Sequence, residues 1–435
     1  MNIYTPQTLT QKRYAIVMKR SGGKASRIKK QVSDIIQNVR KNTDRALYEM
    51  VQKRYGAKSY SALLVSKKEI ATAYTQVSQN EIRALQQMIQ NITAVQGAQL
   101  PKKIDICVRP TPGILVTRVW RPISRVGLYI PGGKAVYPSS VCMTAIPAKI
   151  AGCSSIVLCT PPDKNGLVPA PTLVAADMLG ITEIYKIGGA ESIAAMAYGT
   201  ETISPVYKIY GAGNSYVTEA KLQVQRDIAI DMPAGPSEVL IIADDTADPT
   251  YIAADLLADA EHGEDSAPVL VTTSLDIAKR TVGEIKRQLG YLPTAARAIE
   301  SFRRYGLILV VSTINEAITF SNTYAPEHLE IMTKNPDTVV DSITDAGSVF
   351  VGPFTTKATG DYATGANHVL PTGGMAKMYP PLGVECYGKW MQVQTCTKRG
   401  LANIAETILT IARTEGLPGH ANTVSVRGCK KRNTL

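Results

Sequence analysis

The sequence has no apolar run approaching the roughly 20 residues that a bilayer-spanning helix needs, and Met1–Thr10 lacks a basic segment followed by an apolar one. A secretory leader and a membrane partner are therefore not expected, and the expected location is cytoplasmic. Cysteine is sparse and unpatterned. The seven cysteines are odd in number and include no C-x-x-C spacing, which argues against a disulfide frame and a four-cysteine zinc site and for reduced, buried thiols. Two nucleotide-binding signatures are also missing. Gly127 and Gly132 have phosphate-loop spacing, but Gly133 intervenes and Ala135 follows Lys134 where a magnesium-binding hydroxyl is required. Gly211-Ala212-Gly213-Asn214 lacks the third glycine of a dinucleotide fingerprint. A kinase or ATPase is excluded, and a standard Rossmann fingerprint is absent.

Acidic residues are scarce at one end. Residues 1–60 hold fourteen Lys/Arg against three Asp/Glu, so +11 of the chain's net +12 sits there. Such an excess suits either a nucleic-acid arm or a solvated helical face that attracts anionic cofactors. With no RNA-binding motif and few aromatics between the charges, the second reading is preferred and a nucleic-acid partner is not expected.

What is present is a strand–helix alternation. Arg27–Tyr55 carries an apolar stripe of helical period (Ile28, Val32, Ile35, Ile36, Val39, Leu47, Val51) after a break at Gly22-Gly23. Ser66-Lys67-Lys68-Glu69 fits a capping box opening one long helix to about Gln96. From Ile104 short β-rich runs take over, and from Ser155 buried-strand runs alternate with helical ones until about His368. This pattern predicts parallel sheets in an open α/β architecture. A Pro/Gly-rich segment, Leu370–Gly383, leads to a final helix at Arg399–Arg413.

The four histidines, His262, His328, His368 and His420, all sit in turn-like settings beside acids, amides, Gly or Pro, which suggests one shared site. If the helix runs to Gly263, Asp259 and His262 lie one turn apart on one face, where a carboxylate and an imidazole can share a divalent cation. Glu327 and His328 are adjacent, so in a regular element they would point in different directions and serve separate tasks: His328 taking a proton from an alcohol, Glu327 activating a water. Asp361 could complete a metal shell. Glu415 and His420 lie beyond the alternation, so they reach the site only if the tail folds back or crosses to a partner subunit. Small residues follow the strands at Tyr129–Gly133, Gly188–Glu191 and Gly211–Asn214, where open α/β sheets hold ligands. The residues alone leave a dinucleotide there open.

Six blocks in order carry a resemblance that spans about Arg27 to Arg427: Gly127-Leu-Tyr-Ile-Pro-Gly-Gly, Asp231-Met-Pro-Ala-Gly-Pro-Ser237-Glu, Ala260-Glu-His262-Gly, Pro326-Glu327-His328-Leu, Ala346-Gly-Ser-Val-Phe, and Gly360-Asp361-Tyr with Asn367-His368-Val-Leu-Pro. The chain resembles the histidinol dehydrogenase family. The resemblance implies two incomplete Rossmann-like domains, aldehyde dehydrogenase-like, with a helical N-terminal region and a small C-terminal dimerisation tail. It implies a homodimer whose tail enters the neighbour's site, and a four-electron oxidation of L-histidinol to L-histidine with two NAD. It further implies a zinc ion on Asp259, His262, Asp361 and His420, with His328 as general base and Glu327 activating water. Ser237, His368 and Glu415 are implied on the substrate, and Tyr129, Glu191 and Asn214 on NAD. The expected division is an arm over 1–22, a zinc and substrate domain over 23–129 and 237–382, an NAD domain over 130–236, and a tail over 383–435. The chain departs from the family's usual residues at Asp259 and Glu191, both commonly Gln, and at Thr356-Lys357-Ala358, commonly Pro-Glu-Ser.

Overall fold

A computed structural model describes residues 1–20, 25–55, 62–133 and 135–428; Gly22-Gly23, Lys134 and Cys429 lie outside them. Two open parallel sheets form the body. In the first, the strands stand in the order Glu183–Lys186, Ser155–Thr160, Arg125–Tyr129, Lys208–Tyr210, Ala229–Ile230. Numbered along the chain this is 3-2-1-4-5, the order of a dinucleotide-binding sheet without its sixth strand. In the second, Leu307–Val310, Ala267–Thr272, Glu238–Ala243, His328–Met332 and Ser348–Val351 repeat the same 3-2-1-4-5 order, with Ile3–Tyr4 added outside its third strand. Glu238–Ala243 and Ala267–Thr272 are buried at every position, which explains their unbroken apolar character: helices cover both faces of a parallel sheet, leaving no polar side to alternate with. The α/β architecture read from the alternation is the one observed.

The expected division set residues 23–129 with 237–382, and the packing of residues 25–124 favours another grouping. The helix Ala25–Tyr55, bent at Thr43, places Val32, Val39, Leu47 and Val51 in one core with Val157, Ile193 and Val217 of the five-stranded sheet and its helices. Leu85, Met88 and Ile92 pack with Val126, Leu128 and Val141 on the same sheet's other face. Arg125–Tyr129 is that sheet's central strand, so the helices preceding it belong with the second unit rather than with 237–382. The basic arm goes the other way: Ile3 pairs with Ile308, and Val17 is buried against Leu240, Val269 and Leu309.

Other elements differ from the sequence expectation. The single long helix after Ser66 is two, Lys67–Tyr74 and Gln79–Ala98, because Ser78 and Glu81 form a second capping box. The stretch before the final helix contains a strand, Gly388–Cys396, paired antiparallel with Ile114–Pro122, which in turn pairs with Ile104–Val108. This three-stranded sheet is largely exposed, and with it Cys107 and Cys396, so two of the thiols expected to be buried are not. The tail closes on Lys398–Thr414 and Pro418–Ser425, which share a small core of Ala405, Leu409 and Val424. Among the described residues no helix is long and apolar enough to cross a membrane.

Candidate active site

The crevice of the five-stranded sheet opens where the strand order reverses, between Tyr129 and Tyr210 at the carboxyl ends of strands 1 and 4. Gly211 follows Tyr210 at φ +115°, and a Cβ there would stand 2.1 Å from the Tyr129 carbonyl oxygen, so only glycine permits the approach. The helix Ser215–Val224 begins in this crevice. Asn214 caps it, its Oδ1 accepting from the amides of Tyr216 (3.0 Å) and Val217 (3.2 Å). A helix N-terminus in this position suits a phosphate. Glu191, in the first turn of Gly189–Tyr198, is buried. Burial raises its pKa and the Arg54 guanidinium opposes the rise, its Nη2 lying 3.2 Å from Oε1 and its Nη1 3.4 Å from Oε2. The negative charge expected beside a dinucleotide is thus answered by a cation of the basic segment.

A second cluster lies at the amino end of the six-stranded sheet. His328 opens strand 4 and is buried; its Nδ1 lies 2.9 Å from the Glu238 carbonyl oxygen, so Nδ1 carries a proton. Glu327 precedes the strand in a bend, and its side chain curls back: Oε2 accepts from the Glu238 amide at 2.9 Å and lies 3.4 Å from His328 Nδ1. The two therefore converge, contrary to the expectation for neighbours in a regular element. His328 Nε2 faces Asp361 Oδ1 at 3.8 Å, too far for a hydrogen bond. Burial and the Lys357 ammonium push the His328 pKa down, but the Glu327 and Asp361 carboxylates prevail and lift it to about 10.

Asp259, in the last turn of Pro249–Ala260, is fully buried and accepts from Ser237 Oγ at 2.7 Å. Lys357, at the start of Lys357–Tyr362, projects between the acids: its Nζ is 3.1 Å from Asp361 Oδ2 and 3.9 Å from Asp259 Oδ1. Desolvation opposes its charge, yet Asp361 and Asp259 hold its pKa above the ordinary lysine value, while Asp361 is held well below the ordinary carboxylate range despite its own burial, by His328 and Lys357. His368 Nδ1 lies 3.1 Å from the Asp361 carbonyl oxygen and its Nε2 3.4 Å from Ser140 Oγ; burial lowers its pKa. Ser140 belongs to Pro138–Ala151, the helix after Tyr129, so His368 joins the cluster to the crevice.

The remaining expected residues stand apart. The helix carrying Asp259 ends at Ala260, and His262 lies in the following turn, exposed, with Nδ1 3.0 Å from the Ala258 carbonyl oxygen. Glu415 and His420 are exposed on the tail, and among the described residues neither side chain makes a hydrogen bond or ion pair with the cluster. No three His, Cys, Asp or Glu side chains among the described residues group closely enough to hold a metal ion. The charge balance points the same way. An ion about 2 Å from both carboxylates would have to share them with the Lys357 ammonium, whose repulsion of a second cation offsets part of the attraction the two acids offer it. With Lys357 between Asp259 and Asp361, the residues present do not fit the implied zinc.

Five participants carry no functional signal of their own in the sequence. Lys357 shows there only as a departure from a motif, and Ser140, beside His368, shows nothing at all. Glu238 lies within a motif without an evident task; it is buried against Arg20, 3.1 Å from Nη2, and it accepts from the Gly373 amide. Arg20 and Arg54 are two of fourteen basic residues.

Two incomplete dinucleotide-type sheets, with an acid–base cluster bridged to the crevice of one of them, define an α/β enzyme that works on a small molecule. The family model described as histidinol dehydrogenase matches residues 18–428. The chain is 48% identical over 390 residues to histidinol dehydrogenase of Methanothermobacter thermautotrophicus, covering 90% of this chain and 91% of that protein. It is 44% identical to that of Vibrio parahaemolyticus over 97% of both. The crystal structure of histidinol dehydrogenase from Elizabethkingia anophelis superposes with a TM-score of 0.92 at 40% identity, covering 98% of each chain. The chain belongs to the histidinol dehydrogenase family, oxidoreductases acting on an alcohol in histidine biosynthesis.

Proposed function

We propose that this chain oxidises L-histidinol through the aldehyde to L-histidine, passing one hydride to each of two NAD. The observation that supports the reading is His328: a buried imidazole fixed at Nδ1 by a backbone carbonyl, with Nε2 left without a hydrogen-bond partner. In the first step neutral His328 takes the hydroxyl proton at Nε2 while the carbinol hydride leaves to the nicotinamide. In the second, Glu327 draws a proton from a water that attacks the aldehyde, and the hydrate loses its hydride to the second NAD. Tyr129, Asn214 and Glu191 with Arg54 are assigned to the dinucleotide, on the strength of the crevice and the helix N-terminus. Ser237, Asp259, Asp361 and His368 are assigned to the substrate, whose ammonium and imidazole complement the carboxylates. His262, at the rim, is assigned there too. The zinc implied on Asp259, His262, Asp361 and His420 is not carried into any step, since Lys357 opposes it.

Glu415 and His420 join this reading from a second copy. Ile104, Ile106, Val108, Met391 and Val393 are exposed on the three-stranded sheet beside the tail, an apolar surface suited to a homodimer that exchanges tails.

NADH formation with limiting L-histidinol tests the proposal. Two NADH per histidinol are expected, and His328→Ala should lower the rate by roughly 10²–10⁴-fold, the span of general-base catalysis. A folded protein that forms no NADH would instead favour the same chemistry on another amino alcohol or polar diol, a reading that draws on Asp259 and Lys357 at the substrate end.

A further inference from the structure

The acids at the base of the cluster already share a cation, and it is covalent. Lys357 is 2% exposed, and its place is fixed at both ends: its backbone amide donates to Glu330 Oε1 at 3.0 Å, and its ammonium donates to Asp361 Oδ2 at 3.1 Å while lying 3.9 Å from Asp259 Oδ1. Glu330 is itself buried beside Asp255, one turn before Asp259 on the same helix. The lysine therefore stands among acids, Glu330 on its backbone amide and Asp259 and Asp361 about its ammonium. An ammonium has three N–H donors, of which Asp361 uses one. Asp259 Oδ2 and His328 Nε2, both buried, make no hydrogen bond, and Nε2 stands 3.8 Å from Asp361 Oδ1, the acid that Lys357 also holds.

We propose that Lys357 is the resident cation of this site, standing where the family's metal would stand, so that the chain binds and oxidises its substrate without a divalent ion. The ammonium neutralises Asp259 and Asp361, holds them in register with His328, and offers its remaining N–H donors to a lone pair of the substrate, an imidazole nitrogen or a hydroxyl oxygen. Lys357 is on this account a binding and positioning residue, and recognition passes from coordination to hydrogen bonds. The inference rests on the dehydrogenase reading of the cluster, but its test does not depend on turnover.

The full-length protein, purified without added metal, is analysed for zinc, titrated with zinc chloride by calorimetry, and assayed for NADH formation with and without a chelator. Sub-stoichiometric zinc, no calorimetric binding and a rate indifferent to the chelator are expected. Lys357→Gln should gain zinc binding with one ion per subunit, and Lys357→Glu with Asp259→Gln should gain it more tightly. Stoichiometric zinc in the unaltered protein, or NADH formed only after zinc is added, overturns the inference while leaving the dehydrogenase reading in place. Should no NADH form under any condition, the dehydrogenase reading falls and the zinc titration of the unaltered protein alone decides the role of Lys357. Because that measurement uses no variant, a substitution that fails to fold does not rescue the idea.

Discussion

At the scale of single residues, the site turns on how carboxylates set the charge of one imidazole. Glu327 and Asp361 together lift the His328 pKa to about 10 against burial, so a base that needs neutral imidazole gains activity as pH rises toward that value. Replacing Glu327 by Gln removes a negative charge that favours imidazolium. The ascending limb of the pH profile for the first hydride transfer, followed in single turnover, should therefore move to lower pH in Glu327→Gln. An unmoved limb would assign it to another group. Glu327 and His328 were legible as a pair in the sequence, but not their convergence, because a bend before a strand frees the side chain from the strand's alternation. Lys357 was legible only as a departure. Nothing local to Thr-Lys-Ala-Thr says that the ammonium will be drawn inward; that depends on Asp259, a hundred residues away in the chain and adjacent in space.

Among elements, those with a periodic reason to exist were the readable ones. The strands buried on both faces announce themselves as apolar runs, and the capping boxes mark helix starts. Gly388–Cys396 was not readable, since an exposed strand mixing Lys, Gln and Thr with Trp, Met and Val carries no one-sided pattern. The basic N-terminal segment was visible as charge and opaque as structure. Arg13 donates to the carbonyls of Arg304 and Gly306, Arg20 to the carbonyl of Tyr324 while facing that residue's ring and Glu238, and Arg54 pairs with Glu191. Arg13 and Arg20 serve the chain's own fold, and Arg54 answers Glu191. Arg20→Ala leaves Glu238 buried without its partner and should cost about 3–5 kcal/mol, read as a lowered midpoint in denaturant or heat. The sign of its pH dependence follows from Glu238, whose pKa burial raises to about 7 despite Arg20. Without the guanidinium, the carboxyl is tolerated when protonated and penalised when ionised, so the loss should be smaller at pH 5.5 than at pH 8.5. A loss independent of pH would mean that Arg20 acts through packing on Tyr324 alone.

For the molecule as a whole, the tail is the part that stands away from the cluster within one chain. Glu415 and His420 are exposed far along the sequence from the cluster they are assigned to, and the three-stranded sheet beside them presents apolar side chains outward. If tails are exchanged, His328→Ala and Glu415→Ala subunits should complement each other. In a mixed dimer one site takes both lesions and the other neither, so co-refolding two inactive variants in equal amounts should restore about a quarter of full activity. Tails that serve their own subunit would restore none. The two-sheet architecture was legible from the alternation of runs, whereas which helices cover which sheet was not: strand order is set by tertiary pairing, and the central strand Arg125–Tyr129 drew its preceding helices with it.

The two sheets share one wiring, 3-2-1-4-5, yet the crevice of the first lies at its carboxyl end around Tyr129 and Gly211, and the acid–base cluster lies at the amino end of the second around Ser237 and His328. At the carboxyl end of the second sheet, Asp244 accepts from the amides of Thr246 and Lys334. On the proposed assignment, choice of cofactor and choice of substrate are written on separate stretches of sequence, the turns after the strands of one sheet and the turns before the strands of the other, so that either text can be revised without copying errors into its neighbour.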